Sequence, residues 1–305
     1  MPLKSMYVFV RCMDAFEVIN SLVSAMSHII VQRLAAFSDG ETGGNPAGVV
    51  LGSVLPEEFL MRETAACVGF SETAFAAPVD NGWRVRYFSP ESEVPFCGHA
   101  TIALGAALAL ARGDGIFPLK LNDAEITVEG RRDGRTIAAA LQSPPTRSVS
   151  VDAKLLADAL TLFGYSSLDL DASIPPALIH AGANHLLVPL KSRARLAAMH
   201  YDLDAGRALM KSAGVVTIML VHAEGPQLFH ARNPFAFGGV YEDPATGAAA
   251  AALAGYLRDI GWPHGAAIEI VQGADMGMRS RIRAEISPVV GSSIRVSGTA
   301  RRLSE

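Results

Sequence analysis

The 305 residues carry 26 Lys and Arg against 30 Asp and Glu, a net charge of −4, which excludes an extended basic surface for nucleic-acid phosphates. Half of the residues are hydrophobic, yet no uninterrupted apolar run reaches the ~18 residues of a membrane-spanning helix, so a cytoplasmic protein with no membrane partner is expected. Three cysteines, Cys12, Cys67 and Cys97, stand in no paired spacing, which suits a reducing compartment and offers neither a disulfide framework nor a zinc ribbon.

In chain order, residues 1–28 have a signal-like apolar flavour interrupted by Arg11, Asp14 and Glu17, so they read as an N-terminal extension, with Met26 an alternative start. Alternation predicts strands over 29–37 and 47–51 around a GETGGNP turn, a helix over 56–68 and a strand over 72–77. Then comes WRVRYFSPESEVPFCGHATIALGAALALA (83–111), which is echoed by QLFHARNPFAFGGVYEDPATGAAAAALAGYL (227–257). Each segment is a strand, a proline-bearing loop, a glycine turn and an Ala-rich helix. Aligning Thr101 with Thr246 superposes Leu108 on Leu253, and the strands expected in 119–129 have counterparts in 268–286. Between the repeats, helices are expected over 151–163 and 203–213 and strands over 186–190 and 215–222. The polar stretch LQSPPTRSVS (141–150) marks the boundary of two half-domains, 29–145 and 146–305.

The fold class that follows is α+β, as a pseudo-symmetric pair. Two helix N-termini can then converge on one cleft, where unpaired N–H groups and partial positive charge suit an anion such as a carboxylate. Glu72, in SETAF, brings a carboxylate into an otherwise apolar strand, the setting of a general base; the competing reading is a solvent-facing strand residue. His99, in CGHAT, falls in the first turn of the first Ala-rich helix, where an imidazole can relay a proton beside a bound anion. Asp243, in EDPATG, has the appearance of a helix N-cap with Pro244 at the first helical position, and the repeat alignment sets it opposite the CGHAT block. Cys97 could be a thiolate base at a helix start, but no second cysteine stands near the matching place, which holds Glu242 and Asp243; an inert buried thiol is favoured. There is no Walker loop, GxGxxG, HExxH or GxSxG, and the histidines show no ligand-like pairing, so neither cofactor nor metal is implied.

Five blocks in order, AFSDGETGGNPAGVVL, SETAF, YFSPESEVPFCGHAT, EDPATGAAAAAL and QGADMGMRSRI, resemble the PhzF-like phenazine-biosynthesis family from about Ile29 onward, and that family resembles diaminopimelate epimerase in fold. The resemblance implies two barrel-like sheets, each around a central helix, usually in a homodimer. It also implies a cofactor-free allylic proton shift on a small carboxylate-bearing substrate, like the isomerisation of dihydro-hydroxyanthranilate. Glu72, His99 and Asp243 match the family's catalytic positions, while Asn45, Gly98, Thr101, Thr246 and Gly247 match its substrate-binding region. This chain has Ala248 where the phenazine enzyme has a serine. The alternatives to such an isomerase are a two-base racemase or epimerase of the diaminopimelate type and a non-catalytic homologue that keeps only the cleft.

Overall fold

The computed structural model describes residues 29–134 and 136–304, and the expected N-terminal extension lies outside them. Eight strands close a first ring. In spatial order they are Gln32–Ser38, Asn45–Leu51, Thr73–Val79, Gly82–Phe88, Gly115–Lys120, Glu125–Asp133, Thr136–Gln142 and Arg295–Arg302, the last pairing back onto the first. Although Arg295–Arg302 comes at the end of the chain, it completes this first ring by lying between Thr136–Gln142 and Gln32–Ser38.

A second ring takes Arg147–Ser150, Ala177–His180, Asn184–Pro189, Thr217–Ala223, Leu228–Phe235, Ala267–Gln272, Ser280–Glu285 and the near end of Arg295–Arg302. Backbone bonds from Ser143 N to Ile294 O (2.8 Å) and from Thr146 N to Gly291 O (3.1 Å) close it. The fold is thus α+β with ring-like sheets. Two parallel steps occur in each ring at matching places, Asn45–Leu51 with Thr73–Val79 and Gly82–Phe88 with Gly115–Lys120 in one, Asn184–Pro189 with Thr217–Ala223 and Leu228–Phe235 with Ala267–Gln272 in the other.

Each ring is filled by one helix. Of the six helices among the described residues, α1 (Glu58–Val68), α3 (Ala153–Leu162), α4 (Arg193–Ala197) and α5 (Leu203–Ala213) lie outside, and α2 (Gly98–Arg112) and α6 (Gly247–Asp259) run through the rings. Both central helices are apolar over most of their circumference, as a helix enclosed by a sheet must be, and α2 is buried without a break from His99 to Ala109. Glycines let helix and sheet approach: a Cβ added at Gly130 would stand 2.2 Å from the Gly105 carbonyl oxygen. The outer helices α3, α4 and α5 cover the second ring, whose strands alternate Leu187, Met219 and Val221 inward with Leu186, Val188, Ile218 and Leu220 outward. On the first ring, α1 packs Met61 and Ala65 on Val50, Phe75 and Phe88. No helix among the described residues is long and apolar enough to cross a membrane.

Candidate active site

The helix starts correct the register of the repeat. Both central helices begin at a glycine, Gly98 and Gly247, and each glycine is preceded three residues earlier by a proline, Pro95 and Pro244. Leu104, and not Leu108, therefore corresponds to Leu253, a shift of about one helical turn from the alignment on threonines. Asp243 is accordingly not the cap of α6. Thr246 is, as Cys97 is for α2, and neither cap side chain bonds an N–H of its own helix. The N-termini abut: a Cβ on Gly98 would lie 3.7 Å from both Ala248 N and Gly247 Cα. First-turn N–H groups of two helices, without side-chain caps, thus share one small volume, and they favour a bound carboxylate.

Around that point the chain gathers its titratable groups. Glu72 sits just before the strand Thr73–Val79, held by the Gly48 N–H donating to its carbonyl (3.2 Å), and its side chain is buried. His99, the second residue of α2 and also buried, places Nε2 3.4 Å from Glu72 Oε2 and 3.3 Å from Ser71 Oγ. Asp243 ends the strand Val240–Asp243 and is clamped on both oxygens. Asn45 Nδ2, from the first half, donates to Oδ1 (2.7 Å) and to Ala245 O (3.1 Å), and Thr246 Oγ1 donates to Oδ2 (2.5 Å). Burial raises Asp243 to a pKa of about 6; His99, Thr246 and Asn45 pull it down, while Glu72 pushes it further up. A carboxyl in that range can exchange a proton near neutral pH.

Thr101 is one turn deeper in α2, fully buried. Its hydroxyl donates to Cys97 O (2.7 Å) and therefore accepts from Tyr87 OH (2.7 Å). Cys97 Sγ lies 3.3 Å from Nδ1 and 4.0 Å from Nε2 of His99, so it faces the side of the ring and not the Nδ1 lone pair. Burial, and then the Glu72 carboxylate, push its thiol well above the ordinary range. One atom each of Glu72, Cys97 and His99 lies within 4.8 Å of the other two, the spacing of metal ligands. A thiol kept protonated by its neighbours is a poor one.

The sequence reading passed over Gln272 and Ser71. Gln272 Nε2 donates to Asp243 O (2.7 Å) and Thr246 Oγ1 (3.0 Å), and its Oε1 accepts from Thr246 N (3.2 Å), so it fixes the turn that carries Asp243. The signal available was its place at the head of the QGADMG block, a buried amide closing an apolar strand.

The phenazine biosynthesis-like protein family matches residues 34–305. The trans-2,3-dihydro-3-hydroxyanthranilate isomerase of Pseudomonas aeruginosa is 34% identical over 281 residues, 88% of this chain and 95% of that one. An uncharacterized isomerase of Deinococcus radiodurans is 35% identical over 246 residues, 75% of this chain and 76% of that one. Among solved structures, a PhzF-family protein of Bacillus anthracis superposes with a TM-score of 0.79 at 22% identity, covering 90% of this chain and 96% of the other. A probable proline racemase of Agrobacterium radiobacter shares the fold at a TM-score of 0.62 and 13% identity, covering 90% and 91%. The chain belongs to the phenazine biosynthesis-like family and is an isomerase of the PhzF type.

Proposed function

We propose that the protein catalyses a cofactor-independent proton shift on a small ring carboxylate of the dihydro-hydroxyanthranilate kind, with the substrate carboxylate held by the N–H groups at the starts of α2 and α6, around Gly98, His99, Thr246 and Gly247. Glu72 takes the proton from carbon, the electron pair moves along the adjacent double bond, and the same carboxyl returns the proton at the far end of the shifted system. His99 and Asp243 orient the substrate and carry the proton between positions. Asn45 and Thr246 keep Asp243 in place. The observation that supports this reading best is the placing of Glu72 within 3.4 Å of His99 beside a carboxyl raised to about 6, next to two abutting helix starts.

The test is proton NMR in deuterated water with trans-2,3-dihydro-3-hydroxyanthranilate and a panel of ring and amino-acid carboxylates. Double-bond migration or deuterium uptake with wild type, absent with Glu72→Gln, is expected; full activity of Glu72→Gln would remove Glu72 from its role. A two-base epimerase of the thiol type is disfavoured by the helix caps, which pair Cys97 with Thr246 and so supply one thiol where two are needed.

A further inference from the structure

Three buried polar residues of the second ring take no part in the mechanism above. His185, Thr217 and Asn233 are each at most 1% exposed and come from three neighbouring strands. His185 Nδ1 lies 2.7 Å from Thr217 Oγ1, and Thr217 Oγ1 donates to Asn233 Oδ1 at 3.1 Å. A hydroxyl has one hydrogen. With that hydrogen on Asn233, His185 must donate from Nδ1, and burial, which lowers His185 to a pKa of about 3, keeps the imidazole neutral. The chain of donors therefore runs His185 to Thr217 to Asn233. It ends on an amide nitrogen, Asn233 Nδ2, that is buried and has no hydrogen-bond partner, and His185 Nε2 is likewise unpartnered. A buried donor without an acceptor is destabilising.

The repeat shows what is unusual here. Tyr87 pairs with Val94 across the first-half strands as Asn233 pairs with Asp243 across the second-half ones. The Tyr87 hydroxyl finds Thr101 on the central helix; the corresponding residue of α6 is Ala250, which offers nothing to Asn233. Residues directly opposite on paired strands have side chains on one face, with Cβ atoms about 5 Å apart. Asn233 thus shares a face with Asp243.

We propose that Asn233, oriented by Thr217 and His185, is a substrate-positioning residue whose free amide donates to a hydroxyl oxygen of the substrate, fixing which end of the ring lies against Asp243. The inference rests on the functional reading above: the carboxylate occupies the helix starts, and the hydroxyl reaches the second ring. This is selection for an oxygen substituent, separate from the proton-transfer groups.

The experiment compares 3-hydroxyanthranilate with anthranilate, which lacks the hydroxyl, by titration calorimetry on wild type, Asn233→Ala and Thr217→Val, with circular dichroism as the check on folding. Wild type is expected to bind the hydroxylated ring about tenfold more tightly, and both variants to lose that ratio while keeping their affinity for anthranilate within a few fold. Thr217→Val, close to isosteric, serves where Asn233→Ala does not fold, and a merely structural role would weaken both ligands alike. An unchanged ratio in a folded variant, or no preference in wild type, overturns the inference and leaves the proton shift standing. Failure of wild type both to bind either ring and to turn over the dihydro substrate overturns the functional reading, and the inference with it.

Discussion

In the first half, Arg86 grips Glu93 through Nε at 2.8 Å and Nη2 at 2.6 Å; in the second, Arg232 grips Glu242 through the same two atoms at 3.0 and 2.5 Å. Each pair ties an inner strand to the short strand that leads into a central helix. The pair in the second half is closed off from solvent, with Arg232 also donating to Ala197 O and Met199 O beside α4, whereas Arg86 and Glu93 are partly open. The same frame presents different groups to the cleft. Val94 corresponds to Asp243, Cys97 to Thr246, His99 to Ala248 and Thr101 to Ala250. One half supplies an imidazole where the other has a methyl group, and the other supplies a carboxylate where the first has an isopropyl group. A pseudo-symmetric scaffold has become a site with unequal sides, which suits the proposed proton shift in one direction along a ring. A symmetrical racemase would have kept a matched pair of bases.

The sharpest break in the comparison is Glu72→Gln, which removes the proposed carbon base from the first half alone; kcat should fall by about 10²–10⁴-fold in the deuterium-uptake assay with folding intact. Next come the paired substitutions Arg232→Met and Arg86→Met. The first leaves Glu242 charged and buried and should destabilise by about 3–5 kcal/mol in urea unfolding, the second by about 1 kcal/mol. Equal losses would mean that burial does not distinguish the two halves.

Asp243→Asn should abolish turnover yet raise the melting temperature at pH 7–8. The sign follows from a folded pKa of about 6 against an ordinary value of 3.8. Above pH 6 the buried carboxylate is ionised and strains the folded state, on the order of 2–3 kcal/mol. As pH falls from about 6 to about 4 the folded state takes up the proton first and the strain disappears. The advantage of the asparagine variant should therefore shrink over that window, and a constant advantage would locate the gain elsewhere. The smallest effect is expected from Cys97→Ser, a change of less than about threefold in kcat/KM. In the wild type, alkylation at pH 8 should modify the exposed Cys67 and spare Cys97.

Much of the frame was legible in the chain. Apolar periodicity gave the helices 58–68, 153–162 and 203–213 to within about two residues, because each has one face against a sheet, and the Ala-rich runs announced helices buried on every side. Threonine was the wrong marker for the repeat: Thr101 bonds to the carbonyl of Cys97 inside its helix, while Thr246 stands before its own helix as the cap, so one residue type had two unrelated duties. Glycine and proline were the better markers, since they are constrained by backbone geometry and by the contact between helix starts.

The sequence determined by itself the α+β class, the internal duplication and the residue types of the site, because these rest on local pattern and on blocks a few residues long. Only the tertiary structure decided how they meet. It set Asn45 against Asp243 from 198 residues away, made Arg295–Arg302 the closing strand of the first ring, and left the Asn233 amide nitrogen without a partner where the Tyr87 hydroxyl has one. Ring closure and burial are properties of strands brought together from the two ends of the chain, and no window of sequence contains both sides of such a contact.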